Sequence, residues 1–289
     1  MYKRQVSDGS ERFDTHFDLA VSYIEGGSAY YVHDHVSAAK KAAFIHVDYV
    51  QAGYTRRLDK DCYVDFDRIF AVSDETAGVF AGVYPECQQK LSVFHNLIDT
   101  EAIRQKALSP AEKSMHEGIR LLTVGRLTPQ KGFDCAVYAL KLLLEKQYPV
   151  YWYIIGEGPE YGRLTQLARS LHVEDHFIFL GMQTNPYPYF KMADFYIHAT
   201  RFEGKSIAIQ EAQVLGCAIA ASDCSGNREQ IVSGVDGLLC PFSPEGIANA
   251  VEYLIEHPQT AQSFGRAAAQ KACHFENDIH MIRDLLYSP

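Results

Sequence analysis

Two carboxylates, Glu203 and Glu211, stand eight residues apart in the run R-F-E-G-K-S-I-A-I-Q-E. Glu203 falls in a loop after the strand-like run A-D-F-Y-I-H at 193–198. Glu211 falls inside a helix for which Ser206 is the expected N-cap. Between them, the backbone N–H groups of Gly204, Lys205 and Ser206 lead into Ile207 at the helix start, and such a terminus is a ready anion site. A loop carboxylate, an amide cradle and a helix carboxylate suit a sugar, a phosphate and a ribose held in a row. Taken alone, each carboxylate is equally an ordinary loop charge or a solvated helix residue.

Other runs extend this constellation. Arg126 and Lys131 stand in G-R-L-T-P-Q-K-G, after the expected strand 120–124, and α/β folds place ligands at the carboxyl ends of such strands. Gly156 and Gly158, in I-G-E-G-P after the strand V-Y-W-Y-I-I, let a backbone approach a ligand closely. The full G-x-G-x-x-G dinucleotide pattern is absent. Gly181 and Met182 follow F-I-F-L, and N-P-Y comes next at 185–187.

Together these runs resemble, in order and spacing from residue 119 to about 256, the retaining glycosyltransferases of family 4, which have the GT-B fold. R-F-E-G-K-S-I-A-I-Q-E resembles their E-x7-E motif, and the other three segments resemble their G-R-L-x-x-x-K-G, G-x-G-P and nucleotide-side loops. The resemblance implies that Glu203 meets the donor sugar's hydroxyls and Glu211 the ribose. It implies that Arg126 and Lys131 face the leaving diphosphate, which two fixed cations would stabilise electrostatically. It implies base contacts near Gly181 and Met182. It places His46, in F-I-H-V-D-Y, near the donor sugar, with Asp48 and Tyr49 towards the acceptor. As isolated residues, Arg126 and Lys131 read as surface cations and His46 as a packed histidine.

The elements that must position these residues alternate, short apolar runs with amphipathic helical patterns, as stacked βα units do. Strands are expected at 17–23, 43–47, 68–73 and 91–94, then at 120–124, 150–155, 177–180, 195–198, 218–221 and 237–239. Helices are expected at 28–36, 75–83 and 100–107, then at 133–146, 160–171, 206–215, 228–233, 244–256 and 276–287. The expected fold is α/β, GT-B, with two Rossmann-like domains built on parallel sheets and the N-terminal one truncated. Residues 1–112 form a partial acceptor-side domain, with a linker at 110–118. Residues 113–272 form the nucleotide-sugar domain, and a helix in 273–289 crosses back to the first. The truncation is expected because the family begins with further βα units carrying a glycine-rich loop, whereas only a short polar stretch precedes Phe17 here. The cleft between the domains is the expected place of reaction.

Composition excludes several other classes. A net charge of -9 argues against nucleic acid as the partner. Seven scattered cysteines without a C-x-x-C pair suit reduced thiols in the cytoplasm. No run reaches the roughly 20 apolar residues of a membrane span, and the N-terminus lacks the apolar core of a signal peptide. Asp65-Phe66-Asp67 reads as D-x-D, the metal motif of the other glycosyltransferase fold, but precedes a strand instead of following one. His33-Asp34-His35 has no third ligand at a motif spacing. No metal and no other cofactor is expected.

The function expected is hexose transfer from a nucleotide sugar, a UDP-sugar, to a growing polysaccharide or lipid-linked glycan. Peripheral contact with the inner membrane face would use Lys40-Lys41 and Arg56-Arg57, which otherwise read as solvated charge. A non-catalytic nucleotide-sugar-binding module, one half of a split enzyme, and a GT-B epimerase are the alternatives.

Overall fold

The structure, a computed structural model, describes residues 9–272 and 278–287. Its contacts divide the chain into two units. The first takes the chain to Leu97, the short loop Glu203–Lys205 and the C-terminal helix. The second takes Ile98–Phe202 and the chain onward from Ser206.

In the first unit, β1 (His16–Ser22), β2 (Ser37–Ile45), β3 (Arg68–Ala71) and β4 (Leu91–Val93) form one parallel sheet in that order. Parallel sheets need cover on both faces, and β2 ends in the fully buried run Ala42–Ile45. One face carries α1 (Gly27–His35) and α2 (Asp74–Val83) over an aromatic core that includes Tyr30, Tyr49, Tyr63, Phe66, Phe80 and Tyr84. The other face packs Phe44, Phe70 and Phe94 against Met281, Ile282 and Leu285 of the C-terminal helix, Ile279–Tyr287. Asp278 fixes the start of that helix by accepting from the His95 backbone N–H at 2.6 Å and pairing with its ring at 2.8 Å. Of the expected terminal helix at 276–287, residues 276 and 277 lie outside the described residues.

Asp59 is fully buried in that aromatic core and accepts hydrogen bonds from the hydroxyls of Tyr30, Tyr49 and Tyr84. Burial and the adjacent carboxylate push the ionisation of Tyr30 and Tyr84 upward, so both remain donors. Tyr49, expected towards the acceptor, instead points into this core, because a phenol beside a buried carboxylate satisfies it there. Asp59→Ala should destabilise the protein by roughly 2–4 kcal/mol, since it orphans three buried hydroxyls. Urea unfolding should show the loss, and a change below about 0.5 kcal/mol, the range of neutral surface substitutions, would contradict the role.

The second unit holds β5 (Ile119–Val124), β6 (Val150–Ile155), β7 (Phe177–Gly181), β8 (Phe195–His198), β9 (Ala218–Ser222) and β10 (Leu238–Cys240). All pair in parallel in the order β10-β9-β8-β5-β6-β7. The chain winds outward from β5 to one side and returns to its other side at β8. The carboxyl ends of β5 and β8 therefore form a topological switch point, where open α/β sheets bind ligands. The helices of this unit are α3 (Thr100–Lys106), α4 (Phe133–Glu145), α5 (Tyr161–Ser170), α6 (Tyr187–Met192), α7 (Ile207–Val214), α8 (Pro244–Glu256) and α9 (Pro258–Ala272). With α1 and α2 counted first, the C-terminal helix is α10.

Most expected elements lie within two residues of those observed. Four readings need correction. The expected start of β2 at 43 falls short, because Ser37–Lys41 continue the ladder against β1. The helix expected at 228–233 is a single turn at Ser225–Arg228, since Asn227 anchors its amide to the Ser222 carbonyl at 2.8 Å. The helices α6 and α9 were not anticipated: α6 is six residues long with prolines at 186 and 188, and the buried face of α9 is mostly alanine (Ala261, Ala268 and Ala272 around Phe264), which leaves a faint apolar period. The stretch 110–118, expected as a linker, groups with the second unit, which begins at Ile98: Lys113 donates its N–H to the Tyr189 hydroxyl at 3.0 Å, and His116 donates to that of Tyr153 at 2.6 Å. No helix among the described residues is long and apolar enough to cross a membrane.

Candidate active site

The loops that leave β5, β6 and β7 are laced together by their backbones. Gly125 donates to Ile155 O, Leu127 to Glu157 O and Gly156 to Gly181 O, each at 2.9 Å. The lacing explains the glycines. At Gly156 the backbone has φ +138°, and a Cβ would lie 2.0 Å from the Gly125 carbonyl; at Gly158 it would lie 2.4 Å from that of Leu127. The neighbouring loop, within the protein itself, already demands these residues. Around them opens a pocket of about 510 Å³ lined by Gly156, Glu157, Gly158, Tyr161, Phe179, Leu180 and Gly181. Met182, beside it, is 72% exposed.

Arg126 is exposed beyond this lacing, and its guanidinium has no hydrogen-bond or ion-pair partner among the described residues. Lys131 closes the turn Pro129–Lys131 and runs back over Gly125, whose Cβ position is 3.7 Å from Lys131 Cδ. A third cation near this turn, Arg201, is differently employed. It forks onto Asp134 with contacts of 3.0 and 2.8 Å and lies over the Phe242 ring at 5.0 Å. Burial raises the Asp134 carboxyl, but the Arg201 bonds outweigh it and hold the group below its ordinary value. Arg201 also takes the Gln130 carbonyl with its backbone N–H at 2.9 Å, so it ties the β5 and β8 loops together.

Glu211 sits on α7, half-buried. It accepts a 3.0 Å bond from the Tyr187 hydroxyl of α6. Burial raises its carboxyl above the ordinary range, and the Tyr187 bond only partly opposes that. Ser206 occupies the expected N-cap position of α7, but its side chain makes no capping bond. Its backbone N–H is also committed, donating to Gln230 Oε1 at 2.7 Å while Gln230 Nε2 donates back to Ser206 O at 2.8 Å. The expected amide cradle is thus smaller by one donor, because a buried glutamine pairs with Ser206 as a neighbouring strand would. Ile207, the first residue of α7, is 49% exposed.

His46, Glu203, Gly204 and Lys205 belong by their contacts to the first unit. Gly204 is pressed against β2's end, where a Cβ would lie 2.1 Å from the His46 carbonyl. Asn96 Nδ2 holds Lys205 O at 3.1 Å. The His46 N–H donates to Glu25 Oε2 at 3.0 Å, and its ring Nδ1 lies 3.8 Å from the same oxygen without a hydrogen bond. Burial would raise the Glu25 carboxyl, yet His46 holds it below its ordinary value. Asp48, expected towards the acceptor, accepts from the N–H groups of Val50 and Gln51 and so closes its own turn.

Residues 104–271 match the profile of the family described as glycosyl transferases, group 1, which is more than half of the chain. The chain belongs to that family. Over 200 residues it is 30% identical to the N-acetylgalactosamine-N,N'-diacetylbacillosaminyl-diphospho-undecaprenol 4-alpha-N-acetylgalactosaminyltransferase of Campylobacter jejuni, covering 68% of this chain and 53% of that one. It is 29% identical over 208 residues to a glycogen synthase of Mycobacterium tuberculosis, covering 70% and 47%. The chain spans about half the length of these curated relatives. Among solved structures it is similar to Anabaena HepE in complex with UDP and glucose, at TM-score 0.77 and 18% identity over 94% of this chain and 78% of that one. Sucrose-phosphate synthase of Thermosynechococcus elongatus gives TM-score 0.76 and 17% identity, covering 94% and 74%. At these identities the likeness fixes the fold, which is GT-B.

In this member of the group 1 family, Arg126, Lys131, Gly156, Gly181 and Met182 gather at the carboxyl end of the second sheet, while Glu211 stands on α7 beside α6. His46 and Gly204 meet in the first unit. Three partners escaped the sequence reading: Glu25 beneath His46, Tyr187 against Glu211 and Gln230 against Ser206. Only Tyr187 left a trace, within N-P-Y. Of the other motifs, Asp65 accepts from His33 at 2.8 Å and Asp67 from the Lys41 N–H at 2.7 Å. Lys40 and Lys41 donate to the carbonyls of Leu285 and His33, and Arg56 pairs with Asp61 and Glu86, so three of the four paired cations have partners within the protein.

Proposed function

We propose that the chain acts in a retaining glycosyltransferase of family 4, in the cytoplasm, moving a hexose from a UDP-sugar to a growing polysaccharide or lipid-linked glycan. The observation that carries this reading is the ligand end of the second sheet. There a 510 Å³ pocket lies in the loops laced to the β5 loop, which carries Lys131 and Arg126, a guanidinium with no partner among the described residues, all within the stretch matched to the family. The names of similar proteins support the substrates: UDP and glucose bound to HepE, and a diphospho-undecaprenol acceptor for the Campylobacter relative, which also supports contact with the inner membrane face.

In this mechanism Arg126 and Lys131 offset the charge that grows on the diphosphate as the anomeric C–O bond breaks. Glu211 accepts from the ribose, and Glu203 from the donor sugar, with His46 nearby. The acceptor oxygen bonds to the anomeric carbon from the face the phosphate leaves, and the departing phosphate takes the acceptor proton. No glycosidase-type carboxylate pair is needed. Side chains and helix dipoles carry the neutralisation, so the proposal includes no metal.

An assay of the full chain with UDP-α-hexoses and glycan acceptors, in EDTA, tests the reading. The expected product is an α-glycoside, identified by its anomeric proton coupling. A β-glycoside contradicts retention, and turnover that stops in EDTA and returns with Mg²⁺ or Mn²⁺ contradicts metal independence.

A further inference from the structure

We propose that Tyr187 is the positioning residue of the ribose subsite. Its phenol engages one oxygen of Glu211 and turns the other towards a vicinal diol, so that the site selects ribonucleotides over 2′-deoxyribonucleotides. This rests on the reading above, in which Glu211 takes the ribose.

The geometry supports it from both sides. Tyr187 OH lies 3.0 Å from Glu211 Oε1, and no other side chain among the described residues hydrogen-bonds that carboxylate. Oε2 is therefore left as the acceptor. The phenol is the donor: burial and the facing carboxylate push its ionisation up to about 12. Its ring is fixed by packing on the small cluster formed by Ile103, Val214 and Ala272. The turn before it is also anchored, since Asn185 Nδ2 donates to Lys106 O at 2.8 Å. A glutamate on a helix has three side-chain torsions; a hydrogen bond from a fixed ring removes most of that freedom before a ligand arrives. One acceptor oxygen aimed at two adjacent hydroxyls gains its second bond only when the 2′-hydroxyl is present.

Calorimetric titration of the full chain with UDP and with 2′-deoxy-UDP, on wild type, Tyr187→Phe and Glu211→Ala, tests this. Phenylalanine keeps the ring packing and removes only the donor. Wild type should prefer UDP by roughly tenfold, and Tyr187→Phe should lose most of that preference by weakening UDP roughly tenfold while leaving 2′-deoxy-UDP nearly unchanged. Adding Tyr187→Phe to Glu211→Ala should then change nothing further. Wild type that binds no UDP, or Glu211→Ala that binds it as wild type does, overturns the nucleotide reading and the proposal with it. A wild type and Glu211→Ala that behave as expected, beside a Tyr187→Phe that keeps the full preference, overturn the proposal alone. Equal weakening of both ligands in Tyr187→Phe, with a lowered melting temperature, assigns Tyr187 to packing and also overturns it.

Discussion

Lys131→Ala should slow sugar transfer by roughly 10²–10³ while leaving the affinity for UDP within a few-fold, by analogy with the loss of one oxyanion-hole donor. The leaving diphosphate gains charge only as its bond to the sugar breaks, so a cation placed there acts mainly on the transition state. The proposed function assigns that place to Lys131, which ends the turn Pro129–Lys131 after β5 and runs over Gly125. Arg126→Ala should fall in the same range at no cost in stability, because its guanidinium has no partner within the described protein to leave behind. Arg201→Ala separates charge from position. It removes the fork onto Asp134 and should lower the melting temperature instead. Rates of UDP release with saturating donor measure all three, and wild-type rates in Lys131→Ala would remove it from the chemistry.

Gly156→Ala should destabilise the protein by roughly 4–5 kcal/mol, at the severe end for a single methyl group, because strain and overlap add. The backbone at Gly156 has φ +138°, and the new Cβ would lie 2.0 Å from the Gly125 carbonyl oxygen. Relief requires the β5 and β6 loops to separate, which breaks the bonds from Gly125 to Ile155 and from Gly156 to Gly181. The substitution should therefore also abolish nucleotide binding. Gly162→Ala is the control. It sits in α5 with nothing within 4 Å of its Cβ position, and there alanine should be neutral or stabilising by roughly 0.5–1 kcal/mol. Calorimetric melting compares the two, and equal melting temperatures would contradict the lacing argument.

The contrast between Gly156 and Tyr187 shows what the sequence makes legible. Strands such as Val150–Ile155, between Pro149 and Gly156, and Phe195–His198, after Asp194, are short runs rich in aromatic and β-branched residues, and their ends agree with the structure to the residue. I-G-E-G-P reads as a close approach of the backbone to a ligand, whereas the approach the glycines serve is to Gly125 and Leu127, about 30 residues away in the chain. The same holds for Gln230, which reaches Ser206 across 24 positions, and for Glu25, which reaches His46 across 21. Local chemistry writes periodicity and turns into the chain, whereas a long-range hydrogen bond leaves no spacing to recognise. Tyr49 illustrates the cost of carrying a role by position. Beside a histidine at a strand end it suits an acceptor site, yet the buried Asp59 claims its hydroxyl. The alanine face of α9 was invisible for a different reason: small residues pack closely with little hydrophobic contrast.

The central claim is that the second unit presents a nucleoside diphosphate site at the carboxyl end of its sheet, with Glu211 on the ribose. Titration of UDP into the full chain tests it most directly. The account predicts saturable one-to-one binding that Glu211→Ala weakens at least tenfold, by about 1.4 kcal/mol or more. Heats indistinguishable from dilution for wild type at millimolar UDP would contradict it.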